Sequence, residues 1–127
     1  MNKEEIDSFE KVFMQLLSFH QETAVLVKKD PDGAMNKFKL NLINKVLAKA
    51  NEIVGDTKPF EDFEGFDIDG ELPFNSDVAM ILGQYLNCME LIRKDNVHMW
   101  AGRWYWNVDG YDTKETIRTS DPIYQKK

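Results

Sequence analysis

The sequence predicts a mainly α-helical domain: an antiparallel helix pair, a long acidic connector, a third helix and a C-terminal antiparallel β-hairpin. Three observations lead to this prediction. Apolar residues recur at three- and four-residue steps in three stretches, which is the period of an amphipathic helix. A middle segment with Gly, Pro and many acids breaks that period. Near the C-terminus, apolar and polar residues alternate over 104–108, the period of a strand. The 127 residues fit a single domain spanning 1–127.

Residues 4–28 and 34–54 are the two predicted helices of the antiparallel pair. Between them lies Asp-Pro-Asp-Gly at 30–33, a turn sequence because Pro fixes φ and Gly accepts a positive one. A loop this short favours antiparallel neighbours. We expect Asp32 to cap the second helix and Gly55 to end it. The apolar stripe of the first helix is wide, so we expect it to contact more than one neighbour.

The third predicted helix covers residues 76–95, with Ser76 as its N-cap. After it, the sequence predicts a hairpin that pairs 103–108 with 115–119 through a loop of about six residues. The alternative is a third helix that continues to about Trp106. Gly102 argues against that alternative, because Gly destabilises a helix interior.

The connector, residues 56–75, holds the whole charge imbalance of the molecule. It carries seven acids and one Lys, which equals the net charge of −6, whereas the segments before and after it are neutral. It also contains four of the eight Phe residues. A disordered spacer would have fewer aromatic residues. We therefore expect an ordered connector with Phe rings turned inward and carboxylates outward.

The connector carboxylates are the first candidate site. Their spacing around Gly65 and Gly70 does not match a calcium-binding EF-hand loop, so no metal ligand is assigned. An acidic surface of this kind suits a basic protein partner. The candidate partner-binding residues here are Asp62, Glu64, Asp67, Asp69 and Glu71.

The second candidate site is the Trp segment, residues 98–118, where aromatic and basic residues interleave. Arg103, Trp104 and Trp106 are its candidate binding residues, because such side chains stack on bases and pair with phosphates. The more common outcome for such residues is that Trp104 and Trp106 pack against the helices and fill the core. The small local positive charge and the nearby acidic connector disfavour a nucleic-acid partner.

Signals for catalysis are weak. His20, His98 and Cys88 have no metal-ligand or nucleophile spacing, and the sequence contains no phosphate-binding Gly loop. No cofactor is predicted. A small enzyme with a dispersed site, including His98, Tyr105 and carboxylates, stays an alternative.

The single Cys and the absence of a long apolar run favour a cytoplasmic protein with no membrane partner. The wide stripe of the first helix leaves both a monomer and a homodimer open. The sequence names no reaction or partner. Its leading interpretation is a small non-catalytic interaction module that presents the acidic connector to a basic protein, with a single-stranded nucleic-acid binder and a small enzyme as alternatives.

Overall fold

Three helices and a two-stranded hairpin form the structure, a computed structural model that describes residues 1–109 and 117–121. The mainly helical fold with a C-terminal antiparallel hairpin is confirmed. The elements in chain order are α1 (Lys3–Lys29), α2 (Lys37–Val54), a 3-10 turn (Gly55–Thr57), α3 (Asn75–Asp95), β1 (Val97–Trp100) and β2 (Arg103–Trp106).

Helix α1 begins at a reciprocal cap. The Asn2 side chain accepts a hydrogen bond from the Glu5 backbone N–H at 2.8 Å, and the Glu5 carboxylate accepts one from the Asn2 N–H at 2.8 Å. Two orphan donors of the first turn are thereby satisfied. Lys28 and Lys29 lie in the last turn, where cations suit the helix dipole. The helix extends one residue beyond the predicted range at each end.

Helix α2 begins three residues later than predicted, because Asn36 caps it instead of Asp32. The Asn36 side chain accepts a hydrogen bond from the Lys39 N–H at 3.0 Å. Met35, predicted on the helix, precedes it; its side chain is buried, and its N–H donates to the Pro73 carbonyl at 2.9 Å. Gly55 follows the helix as its C-cap residue, with a φ of 52° that favours glycine.

Helix α3 begins at Asn75, and its first turn is closed by Asp77 rather than Ser76. The Asp77 carboxylate accepts a hydrogen bond from the Phe74 N–H at 3.1 Å. The Asn75 side chain donates to the Asp30 carbonyl at 3.0 Å, which fixes the end of the connector to the α1–α2 loop. The helix ends at Asp95, so the alternative of a continuation to Trp106 is wrong.

The hairpin differs from the predicted pairing. Strand β2 pairs with β1, which the sequence did not predict as a strand, in the register Val97 opposite Trp106. Ala101 and Gly102 form the two-residue turn, with φ values of 51° and 77°. Such positive φ values match the twist of a tight hairpin. The predicted pairing with 115–119 exists in part on the other side of β2. There, the Trp106 N–H donates to the Ile117 carbonyl at 2.8 Å, while residues 115–116 lie outside the described residues.

The core lies between the three helices, and two of the grooves between helices are covered by other parts of the chain. The connector covers the α2–α3 groove: the Phe63 ring lies 6.3 Å from Tyr85 of α3. The hairpin covers the α1–α3 groove, where Trp106 meets Phe9 of α1 edge-on at 5.0 Å. The α1–α2 groove has no such cover among the described residues. The fully buried large residues are Ile6, Phe9, Leu16, Met35, Leu40, Ile43, Leu47, Leu82, Tyr85, Met89, Arg93 and Trp106.

Candidate functional site

All seven connector carboxylates are exposed to solvent. Among the described residues only one of them forms an ion pair, Asp69, whose carboxylate lies 3.8 Å from Lys37 Nζ. Both of these side chains are more than half exposed, so the pair screens little charge. The five predicted partner-binding acids are therefore exposed within one segment of the chain. They are Asp62, Glu64, Asp67, Asp69 and Glu71.

A single side chain of α2 holds the middle of the connector. The Asn44 amide donates from Nδ2 to the Phe66 carbonyl at 2.8 Å and accepts at Oδ1 from the Phe66 N–H at 2.8 Å. A primary amide and a peptide group are complementary, so both backbone groups of one connector residue are satisfied together. This fixes where the connector crosses α2. The next segment is shaped locally by Asp67, whose Oδ1 accepts from the Asp69 N–H at 2.9 Å.

The Phe residues of the connector divide into two pairs. Phe63 and Phe66 pack against the core and meet edge-on at 5.1 Å. Phe60 and Phe74 are 39% and 45% exposed, so the expectation that all four rings turn inward is wrong for these two. Phe74 immediately precedes α3 and pairs with Ala34, which holds its backbone at the edge of the fold. The connector thus offers exposed rings beside its carboxylates.

Burial disfavours the ionised form of two side chains beneath the connector, Tyr85 and Cys88. The pKa of Tyr85 is raised mainly by burial, against which its hydrogen bond to Asn51, at 2.6 Å, acts. Burial also raises the pKa of Cys88, whose thiol donates to the Thr57 carbonyl at 3.3 Å. Both groups are therefore neutral hydrogen-bond donors that join α3 to α2 and to the connector.

These two raised pKa values predict a loss of stability at alkaline pH. The unfolded chain releases the thiol and phenol protons at pH values of about 8.5 and about 10, whereas the folded chain retains them longer. Rising pH therefore favours the unfolded state, and the free energy of unfolding falls above about pH 8.5. Urea unfolding at several pH values measures this. The variant Cys88→Ala should lose the part of the fall that begins near pH 8.5, and an unchanged pH profile would contradict the prediction.

The structure separates the three candidate residues of the Trp segment. Arg103 is exposed, Trp104 is partly buried and Trp106 is 1% exposed. Trp106 lies in the core and presents no face for stacking on a base, so the core interpretation holds for this residue. Among the described residues of the segment, the exposed aromatic residue is Trp100, 40% exposed and opposite Arg103 in the hairpin. Trp106 therefore contributes to the core, whereas Trp100 and Arg103 are exposed.

Arg93, in the last turn of α3, is a buried residue that links three elements. It is 1% exposed and bonds the carboxylates of Glu10 at 2.9 Å and Glu90 at 3.2 Å. Its guanidinium also lies over three aromatic rings, with its carbon 5.3 Å from the ring centroid of Phe9, 4.7 Å from that of Phe13 and 5.5 Å from that of Trp106. Thr119 accepts a further hydrogen bond from it. Its position in the last turn gave no signal of burial, because cations are common there on the surface.

The two residues named for a dispersed enzyme site, His98 and Tyr105, are neighbours in the hairpin. His98 and Tyr105 are opposite each other in the hairpin, with ring centroids 6.1 Å apart, and His98 Nδ1 lies 2.5 Å from Asn107 Oδ1.

Within residues 1–109 and 117–121, no group of three His, Cys, Asp or Glu side chains is placed to hold a metal ion. None of the helices there is long and apolar enough to cross a membrane. Comparisons with protein-family models, curated proteins and solved structures find no significant match to the chain.

Proposed function

We propose that this chain is a non-catalytic interaction protein that presents its acidic connector to a basic protein partner. The observation that carries the proposal is that all seven connector carboxylates are exposed, while within the described part of the chain only Asp69 has a cationic neighbour. A patch of one sign raises the association rate with a partner of opposite sign and disfavours like-charged partners.

The way the connector is held supports the same role. Asn44 fixes its backbone and Phe63 fixes its underside, so little ordering remains to be done when a partner binds. The exposed rings of Phe60 and Phe74 add apolar contact area beside the charges. Exposed aromatic groups next to carboxylates suit a partner whose Lys and Arg side chains bring both charge and methylene stems. The thiol of Cys88 suits a reducing compartment, and we therefore include a cytoplasmic location in the proposal.

The decisive experiment is partner capture with a matched pair of charge variants. The connector variant changes its five central acids to amides: Asp62→Asn, Glu64→Gln, Asp67→Asn, Asp69→Asn and Glu71→Gln. The control variant removes five other exposed acids: Asp7→Asn, Asp32→Asn, Glu52→Gln, Asp95→Asn and Asp121→Asn. Each amide keeps one acceptor oxygen, which is what the turn at Asp67 needs.

We expect basic proteins to be retained by the wild-type chain and by the control variant, and lost with the connector variant. For a partner identified in this way, titration calorimetry should give at least tenfold weaker binding by the connector variant. Added salt should weaken the wild-type complex, because the attraction is screened over roughly 10 Å at 0.1 M. Identical partner lists for all three proteins would remove the proposal.

A further inference from the structure

The groove between α1 and α2, which we call the seam, is the helix–helix groove without a covering segment among the described residues. Two of the hollows along it are adjacent, and Phe19 and Leu42 line both of them. The hollow at its apolar end has a volume of about 230 Å³. Phe38 is 73% exposed and Leu42 37% exposed on the α2 side of the seam. Apolar surface of this kind on a small domain marks an interaction site.

The charges along the seam are not evenly placed. Lys39, Lys45 and Lys49 line it on the α2 side, and the described residues form no ion pair with them. Over the same stretch the α1 side contributes one carboxylate, Glu22. Further carboxylates line the hollow at the far end, where Glu52 meets the start of α1. From Phe38 to Lys49, the seam is therefore an apolar groove with a positively charged side.

We propose that this stretch of the seam binds one amphipathic helix of a partner protein, whose apolar face is flanked by Asp and Glu residues. From Phe38 to Lys49 the stretch spans twelve residues of α2, about 18 Å at 1.5 Å per residue. It accommodates about three turns of a partner helix, anchored by apolar side chains at i, i+3 or i+4, and i+7. Its acids would pair with the three lysines. The site is separate from the connector, which attracts the opposite charge.

Charge decides against a second copy of the chain as the occupant. Seam-to-seam pairing about a two-fold axis would bring six lysines and only two copies of Glu22 into one interface. The core-facing apolar residues on the three described helices of a copy are already buried in its own core. A partner helix with acidic flanks supplies both the apolar face and the opposite charge.

The test uses two synthetic helical peptides of fourteen residues and one pair of protein variants. Both peptides have Leu on one face. The first has Glu at the flanking positions, and the second has Lys in place of each Glu. Fluorescence anisotropy gives their affinities for the full chain. The protein variants are Leu42→Asp in the seam and, as the control, Met80→Asp, because Met80 is an exposed apolar residue on α3.

We expect the Glu peptide to bind at least tenfold tighter than the Lys peptide, and Leu42→Asp to weaken that binding at least tenfold. Met80→Asp should change it less than twofold. The double variant Lys45→Glu/Lys49→Glu should reverse the preference between the two peptides, a readout that a merely misfolded protein would not give. Equal binding of both peptides, no binding of either, or no effect of Leu42→Asp would overturn the proposal. So would a homodimer, seen by light scattering, that Leu42→Asp dissociates, because the occupant would then be a second copy.

Discussion

Replacing Arg93 with Met is expected to lower the free energy of unfolding by about 3–5 kcal/mol, the usual cost of removing one member of a buried ion pair. The change leaves the buried carboxylate of Glu90 without the cation that lies 3.2 Å away. It also removes the cation from the rings of Phe9, Phe13 and Trp106, which pack around it. Urea unfolding followed by circular dichroism measures the loss. Arg93→Lys should recover only part of it, because an ammonium group cannot bond two carboxylates in a fixed plane and stack on rings.

The matched control is Arg103→Met, since Arg103 is an exposed arginine on β2. It should change the stability by no more than about 0.5 kcal/mol. The double variant Arg93→Met/Glu90→Gln should be more stable than Arg93→Met alone, because it no longer buries a carboxylate that has lost its cation. If the single variant unfolded as the wild-type chain does, Arg93 would not hold the hairpin and the helices together.

Replacing Asn44 with Ala is expected to lower the free energy of unfolding by about 2 kcal/mol, since two partly buried backbone groups of Phe66 lose their partners. The effect should be concentrated in the connector. The amide hydrogen of Phe66 should exchange faster with solvent, and chymotrypsin should cleave more readily after the connector Phe residues. Hydrogen exchange followed by mass spectrometry locates the change.

Asn41→Ala serves as the control for Asn44→Ala, because Asn41 is an exposed residue of the same helix. It should leave the exchange of the connector unchanged. If Asn44→Ala affected the whole chain equally, the connector would unfold only together with the core. In that case its geometry would be fixed by Phe63 and Phe66 rather than by the amide.

The helices could be predicted because their apolar residues recur at the helical period, and packing follows that period. Their starts were less certain, since several residues near each start could serve as caps. Asp32 and Asn36 are both good N-caps, and the structure selects Asn36 because the Met35 backbone is bonded to Pro73. Prediction of a helix start therefore fails where a distant segment pairs with the residues before it.

Strand β1 could not be predicted, because its turn lacks the usual signature. Asn-Gly or Asp-Gly marks a two-residue hairpin, whereas here Ala101 adopts the positive φ before Gly102. The exposed connector acids were predictable from charge placement alone. The residues that hold the connector were not, because a single Asn on α2 carries no signal of its distant partner Phe66. The sequence gives no signal of a binding role for the exposed lysines of α2, and only the uncovered seam beside them suggests one.

The contact between Phe9 and Trp106 joins an early residue to a late one, and this has a consequence for synthesis. The ribosome delivers α1 first, and α3 can pack on it before β2 exists. Until residue 106 has left the exit tunnel, however, Phe9 and the Arg93 side chain lack the ring that covers them. The α1 face around Phe9 therefore stays uncovered until the later elements have been made, and chaperones that bind transiently exposed apolar surface have a target there.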